Sequence, residues 1–198
     1  MLTDVFPQFI KEFPHITVEP KEINVKTQIS MIAKRKLDLG FIIVPYGFPI
    51  EDEYIHIINE EIVLAVPFDN PVIKGLGGVK QIDLHEFAKE NFVIIYKESS
   101  LRPLIDSIFR DSGFIPNILF ETSNNNNLVD MVSNGSACTL IPKIYAKPND
   151  KIRYFTLPSH PHTELVALYS KGRYLSKASR YLIELAKKYW TNYPYYEI

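Results

Sequence analysis

The chain has 198 residues, 46% hydrophobic and 13% aromatic, enough apolar material for a sizeable core in one large domain or two small lobes. Its 22 Lys and Arg against 23 Asp and Glu give a net charge of −1, which excludes a general basic field for gripping a nucleic-acid backbone. The single cysteine, Cys138, excludes an internal disulfide framework and a thiolate zinc site, and every apolar run is far shorter than the roughly 20 residues of a membrane helix.

From the N-terminus, Leu2, Val5, Phe6, Phe9, Ile10 and Phe13 fall on one face of a helix, with Pro7 in its early turns, and Phe13-Pro14 ends it. ITVEPKE alternates like a strand. Val25 to Leu37 carries Ile29, Ile32, Ala33 and Leu37 on one face and Lys and Arg on the other, the pattern of a helix covering a sheet. DLGFIIVP reads as a strand buried on both faces, and YIHII and EIVLAVP read as two further short strands.

From about Asp69 the pattern begins again. Ile82 to Ala88 reads as a short helix and NFVIIY as a buried strand. Ser99 and Ser100 precede a helix that carries Leu101, Leu104, Ile105, Ile108 and Phe109 and is closed by Gly113. NILFET is a strand, Leu128 to Ser133 a helix stopped by Asn134-Gly135, and ACTLIP a buried strand in which Cys138 is a small core residue. KIRYFTL and ELVALYS read as strands. Ser176 to Trp190 is a closing helix with Ala178, Leu182, Leu185, Ala186 and Tyr189 inward.

The two halves are loosely the same unit, with Phe41 to Pro45 answering Cys138 to Pro142. The second half has NFVIIY ahead of its first helix, whereas nothing precedes Leu2, so a strand is expected upstream in a longer natural chain. The expected architecture is α/β, two Rossmann-like lobes with a central cleft. Residues 1–67 and 164–198 form lobe I and residues 68–163 form lobe II, the chain crossing between them twice.

At this point the residues carry a resemblance that covers nearly the whole chain. FPQFIKEFPHITVEPKE, KRKLDLGFIIVP, EEIVLAVPFDNPVI, VSNGSACTLIP and LYSKGRYLSKASRYLIEL, in this order and spacing, resemble the effector-binding domain of LysR-type transcriptional regulators. The departures are Lys36 where glycine is common, Asn70 in place of a histidine, and Ala137 at a second glycine. The resemblance implies a type II periplasmic-binding-protein-like sensor in which a small-molecule effector, an organic or inorganic anion, shifts the arrangement of lobes and subunits. It implies a cytoplasmic homodimer or tetramer, with the Val25 to Leu37 helix or the helix after Ser99 at the interface. DNA is contacted only through an N-terminal winged helix-turn-helix domain absent from this chain. No cofactor, metal or membrane is expected. The alternatives are a solute-binding protein of a transporter and an enzyme of related fold.

Helix N-termini favour anions through unpaired N–H groups and the helix dipole. Candidate ligand-binding residues are therefore Ser99, Ser100, Ser123, Asn124 and Asn125 in the second lobe, and Asn24, Val25, Val44, Pro45 and Tyr46 in the first. Helix capping is the competing role for the serines and asparagines. Asn126 and Asn127 are assigned to the first turn of a helix. Arg102 reads as a solvated surface charge, with a carboxylate contact as the alternative. His160 and His162 read as a turn, since no third metal ligand stands at regular spacing. GLGG lacks the spacing of a dinucleotide fingerprint, and no nucleophile motif or acid–base pair emerges. The aromatic tail WTNYPYYEI is read as a disordered terminus, packing on a neighbour being the alternative.

Overall fold

The computed structural model describes residues 1–195 and 197–198. The chain divides into two compact units, the first comprising Met1–Asn59 and Glu164–Pro194, the second Glu60–Thr163 and Tyr195–Ile198.

In the first unit, α1 (Leu2–Glu12) turns Val5 and Phe9 inward against Ala178 and Leu185 of α5 (Lys177–Thr191). Ile10 is 43% exposed and faces outward. The side-chain carbonyl of Asn24 accepts the Thr27 N–H at 2.8 Å and starts α2 (Val25–Ala33). β1 (Gly40–Pro45), β7 (His162–Tyr169) and the first part of β2 (Glu53–Pro67) lie in the order β1-β7-β2. One face of β1 and β7 packs Ile42, Val44, Val166 and Leu168 under Ile32 of α2. The other sets Phe41, Ile43, Leu165 and Ala167 against Ile183 of α5. Cover on both faces is what a continuous apolar strand requires.

Four local expectations are corrected in this unit. ITVEPKE is not a strand: residues 17–22 enter no backbone-to-backbone hydrogen bond among the described residues, and alternation without a ladder partner leaves only extended coil. YIHII and EIVLAVP are one 15-residue strand, because Asn59 and Glu60 between them continue the extended backbone. The closing helix buries Ile183, which the inward stripe omitted, because the second face of α5 covers the sheet. The α2 helix stops at Ala33, short of Leu37. There Arg35 takes a left-handed φ of 57°, its N–H bonds Ile32 O at 2.9 Å, and the Lys36 N–H reaches back to Met31 O at 2.8 Å. This is a Schellman ending, so Arg35, not Lys36, occupies the position that suits glycine. The second unit shows the same ending with a glycine: Gly135 has φ 76°, its N–H bonds Val132 O at 2.9 Å, and Ser136 N–H bonds Met131 O at 3.2 Å.

In the second unit, β3 (Asn91–Ile95) runs parallel to β4 (Asn117–Thr122). Its other edge bridges in parallel to Cys138, just ahead of β5 (Thr139–Pro142). β5 pairs antiparallel with the second part of β2, which pairs antiparallel with β6 (Ile152–Phe155). The resulting order, β4-β3-β5-β2-β6, places β3 between the two strands that follow it in the chain. α3 (Arg102–Asp111) and α4 (Asn125–Ser133) are the connections that make those parallel pairings possible. Phe92, Phe109 and Phe114 stack edge-on or tilted in the core, with Phe92–Phe109 centroids 4.9 Å apart. Ile82–Ala88 contains only a short 3-10 turn, Leu84–Phe87, capped by Asp83.

Candidate functional site

β3 and β4 end together. Ile95 stands opposite Thr122, and the Tyr96 N–H donates to Thr122 O at 2.9 Å. The loops that leave them therefore start side by side at the carboxyl end of the sheet, where open α/β sheets bind ligands. One loop holds Ser99 and Ser100 ahead of α3, and the other holds Ser123 and Asn124 ahead of α4. Asn125 is already the first residue of α4, and Asn126 and Asn127 lie in its first turn as expected.

The hydroxyl of Ser99 accepts the Leu101 N–H at 3.2 Å, tightening the turn into α3. Asn124 accepts the Asn126 N–H through its side-chain carbonyl at 2.9 Å, while its own N–H donates to the Thr122 hydroxyl at 3.2 Å. Capping thus occupies one atom of Asn124 and leaves its amide NH2 pointing away from that bond. Ser123 and Asn124 are exposed, and Ser99, Ser100 and Asn125 are half-buried.

Arg102 differs from its sequence reading. It is 7% exposed, and its Nε and one terminal nitrogen donate to Asp106 at 2.7 Å, Glu121 at 2.9 Å and Ile95 O at 3.1 Å. A guanidinium so committed braces α3, β3 and β4 from below the loops. The apolar stripe of α3 concealed this role, since charge alone suggested solvent.

One residue at this end of the sheet escaped the sequence reading. Lys143 begins the 3-10 turn after β5 and holds, one residue past Pro142, the position that Tyr46 holds past Pro45. The internal repeat was the signal that could have found it. The next residue's N–H, that of Ile144, donates to Glu60 Oε1 at 2.6 Å, and the Tyr195 hydroxyl donates to Glu60 Oε2 at 2.6 Å. Burial pushes the Glu60 carboxyl above its ordinary value, opposed by these two hydrogen bonds and by the charge of Lys143. The Tyr195 bond corrects the disordered-tail reading at that residue; Tyr196 of the same tail lies outside the described residues.

The candidates of the first unit divide. Asn24 is an exposed helix cap and Tyr46 is 70% exposed at the turn after β1, whereas Val25 packs against the core cluster and Val44 is 1% exposed inside it. Pro45 is half-buried, and its carbonyl accepts the Phe48 N–H at 3.0 Å. The side chain of Val44 is therefore core, and Asn24 and Tyr46 carry the polar surface.

Cys138 is buried and its thiol is pushed up to about 12 by burial and the nearby Glu90, which leaves no thiolate for chemistry. His160 bonds Glu61 at 2.7 Å and Gln81 at 3.1 Å in a turn with φ 43°. Among the described residues, no helix is long and apolar enough to cross a membrane.

Parallel β3 flanked by β4 and β5, with antiparallel β2 and β6 beyond, is the sheet of a type II periplasmic-binding-protein-like fold. The LysR substrate binding domain matches residues 1–191, and the chain belongs to that family. It is 27% identical over 199 residues to YcgK, an uncharacterized HTH-type transcriptional regulator of Bacillus subtilis, covering 91% of this chain and 60% of the relative. It is 28% identical over 145 residues to the Hca operon transcriptional activator HcaR of Escherichia coli, covering 72% and 47%. The chain thus spans about 60% of the length of YcgK. Among solved structures, the effector binding domain of QuiR in complex with shikimate superposes with a TM-score of 0.76 at 24% identity, covering 98% of this chain and 91% of that one. The Synechocystis CcmR regulatory domain in complex with 2-PG gives 0.77 at 16% identity, covering 97% and 92%.

Proposed function

We propose that the chain is the effector-sensing part of a cytoplasmic LysR-type transcriptional regulator, and that its effector is a small anion held at the carboxyl end of the second unit's sheet. The observation that carries the reading is the parallel pairing of β3 and β4, which brings two helix N-termini together at Ile95 and Thr122. In this reading the first-turn N–H groups of α4, the amide of Asn124 and the ammonium of Lys143 serve a carboxylate or phosphate, whereas at α3 the Arg102 N–H is bonded to Ser99 O and Pro103 carries none. The small molecules bound by QuiR and CcmR support an effector of that size.

Signalling requires that the effector prefer one arrangement of the protein over another. The readout in this proposal is subunit association as a dimer or tetramer, followed by altered DNA contact through a domain outside these residues. β4 supports a subunit contact, because Leu119 and Phe120 are 52% and 46% exposed on an edge strand. α2, or else α3, is the helix proposed at a subunit contact.

The test is a thermal-shift screen of small carboxylates, amino acids and aromatic acids, with product analysis of each hit. The expected outcome is a hit that raises the melting temperature, is recovered chemically unchanged and weakens on Ser100→Ala or Asn124→Ala. Turnover of the hit would make the chain an enzyme, and hits indifferent to both substitutions would sink the site.

A further inference from the structure

Glu60 stands where the ladder between β2 and β5 runs out. Ile62 is paired with Pro142 in that antiparallel register, so Glu60 and Ile144 are the next residues in the same phase. Pro142 has no N–H to extend the ladder, and the chain leaves the sheet as the 3-10 turn Lys143–Tyr145. The Ala146 N–H closes that turn on Lys143 O at 2.9 Å. In place of a backbone partner, the Ile144 N–H meets the Glu60 carboxyl, donating to Oε1 at 2.6 Å.

A buried carboxyl used in this way has a second oxygen to satisfy. Tyr195 satisfies it, its hydroxyl donating to Oε2 at 2.6 Å. Tyr195 arrives on the segment after α5, where the chain passes from the first compact unit into the second between Pro194 and Tyr195. The backbone of Glu60 is held as well, since its carbonyl accepts the hydroxyl of the fully buried Thr163 at 3.3 Å. Tail, strand and turn therefore meet at one side chain.

The consequence falls on Lys143. Its turn packs against α4 on one side and is tied to Glu60 through the Ile144 N–H. A lysine is long and flexible, and ordering it costs binding free energy unless the backbone that carries it is already fixed. We propose that Tyr195, acting through Glu60, is a positioning residue that holds the Lys143 turn against α4, so that affinity for an anion depends on the docked C-terminal tail. Neither Tyr195 nor Glu60 touches the ligand. The inference rests on the effector site proposed above.

The test is a titration of inorganic phosphate into the 198-residue chain at constant ionic strength, followed by the amide resonances of residues 124–127 and 143–145. All proteins are compared well below their melting temperatures. Tyr195→Phe should weaken phosphate binding about fivefold, the contribution of one hydrogen bond. Glu60→Gln keeps a carbonyl for the Ile144 N–H and an NH2 for the phenol oxygen, and it removes a negative charge beside Lys143, so its affinity should hold or rise. Glu60→Ala removes the same charge and also the anchor, and should bind more weakly than Glu60→Gln. Lys143→Ala should lose most of the affinity. Saturable shifts in the parent that are indifferent to Tyr195→Phe, or equal in Glu60→Ala and Glu60→Gln, would overturn this proposal alone. A parent chain with no saturable shift would overturn the anion site and this proposal with it.

Discussion

Tyr195 donates its phenolic hydrogen to Oε2 of Glu60 at 2.6 Å, while the Ile144 N–H donates to Oε1 at the same distance. Glu60 is 4% exposed, and the proton affinity of its carboxyl is raised, chiefly by burial. A carboxyl whose folded-state pKa is raised binds its proton more tightly folded than unfolded. Its contribution to stability is full below the ordinary value of 4.5 and is lost as pH rises through the folded value. Stability relative to Glu60→Gln should therefore fall as pH climbs from the ordinary value through the folded one, read as urea midpoints. Tyr195→Phe removes a bond that favours the ionised form, so the fall should extend to higher pH. At neutral pH the variant should also lose about 1 kcal/mol. Parallel curves for all three proteins would show that Glu60 is not shifted.

Arg35 holds a left-handed φ of 57° where Gly135 fills the same ending in the second unit. A side chain there costs on the order of 1 kcal/mol relative to glycine in the folded state, partly offset by glycine's greater freedom when unfolded. Arg35→Gly should raise stability by about 0.5 kcal/mol in urea denaturation, and Arg35→Val should lower it. A glycine variant less stable than the parent would mean the arginine side chain makes a compensating contact.

Asn124 separates capping from binding. Asn124→Asp keeps a good N-cap, and its negative charge favours a helix N-terminus, so the melting temperature should hold or rise slightly. The same charge repels an anionic effector, and affinity should drop roughly tenfold or more, about 1.4 kcal/mol. An aspartate variant that binds the effector as tightly as the parent would remove Asn124 from the site.

The sequence made the buried strands legible because cover on both faces leaves no polar positions to confuse them: GFIIV, NFVII and TLIP are each β-strands. ITVEPKE was misread because alternation reports a face, not the presence of a ladder partner. The helix caps at Asn24 and Asn124 were legible from residue type, since few side chains satisfy an N-terminal N–H. Arg102 and Glu60 were not, because their roles depend on partners 19 and 135 residues away. No local pattern encodes such pairs. Lys143 is legible through the repeat, since it follows Pro142 as Tyr46 follows Pro45.

Binding of an effector at the paired ends of β3 and β4 is tested most directly by amide hydrogen exchange of the chain with and without a thermal-shift hit. Slower exchange at residues 99–103 and 123–127 on adding the hit is the predicted result. Unchanged exchange in both loops, with protection appearing only elsewhere in the chain, would contradict it.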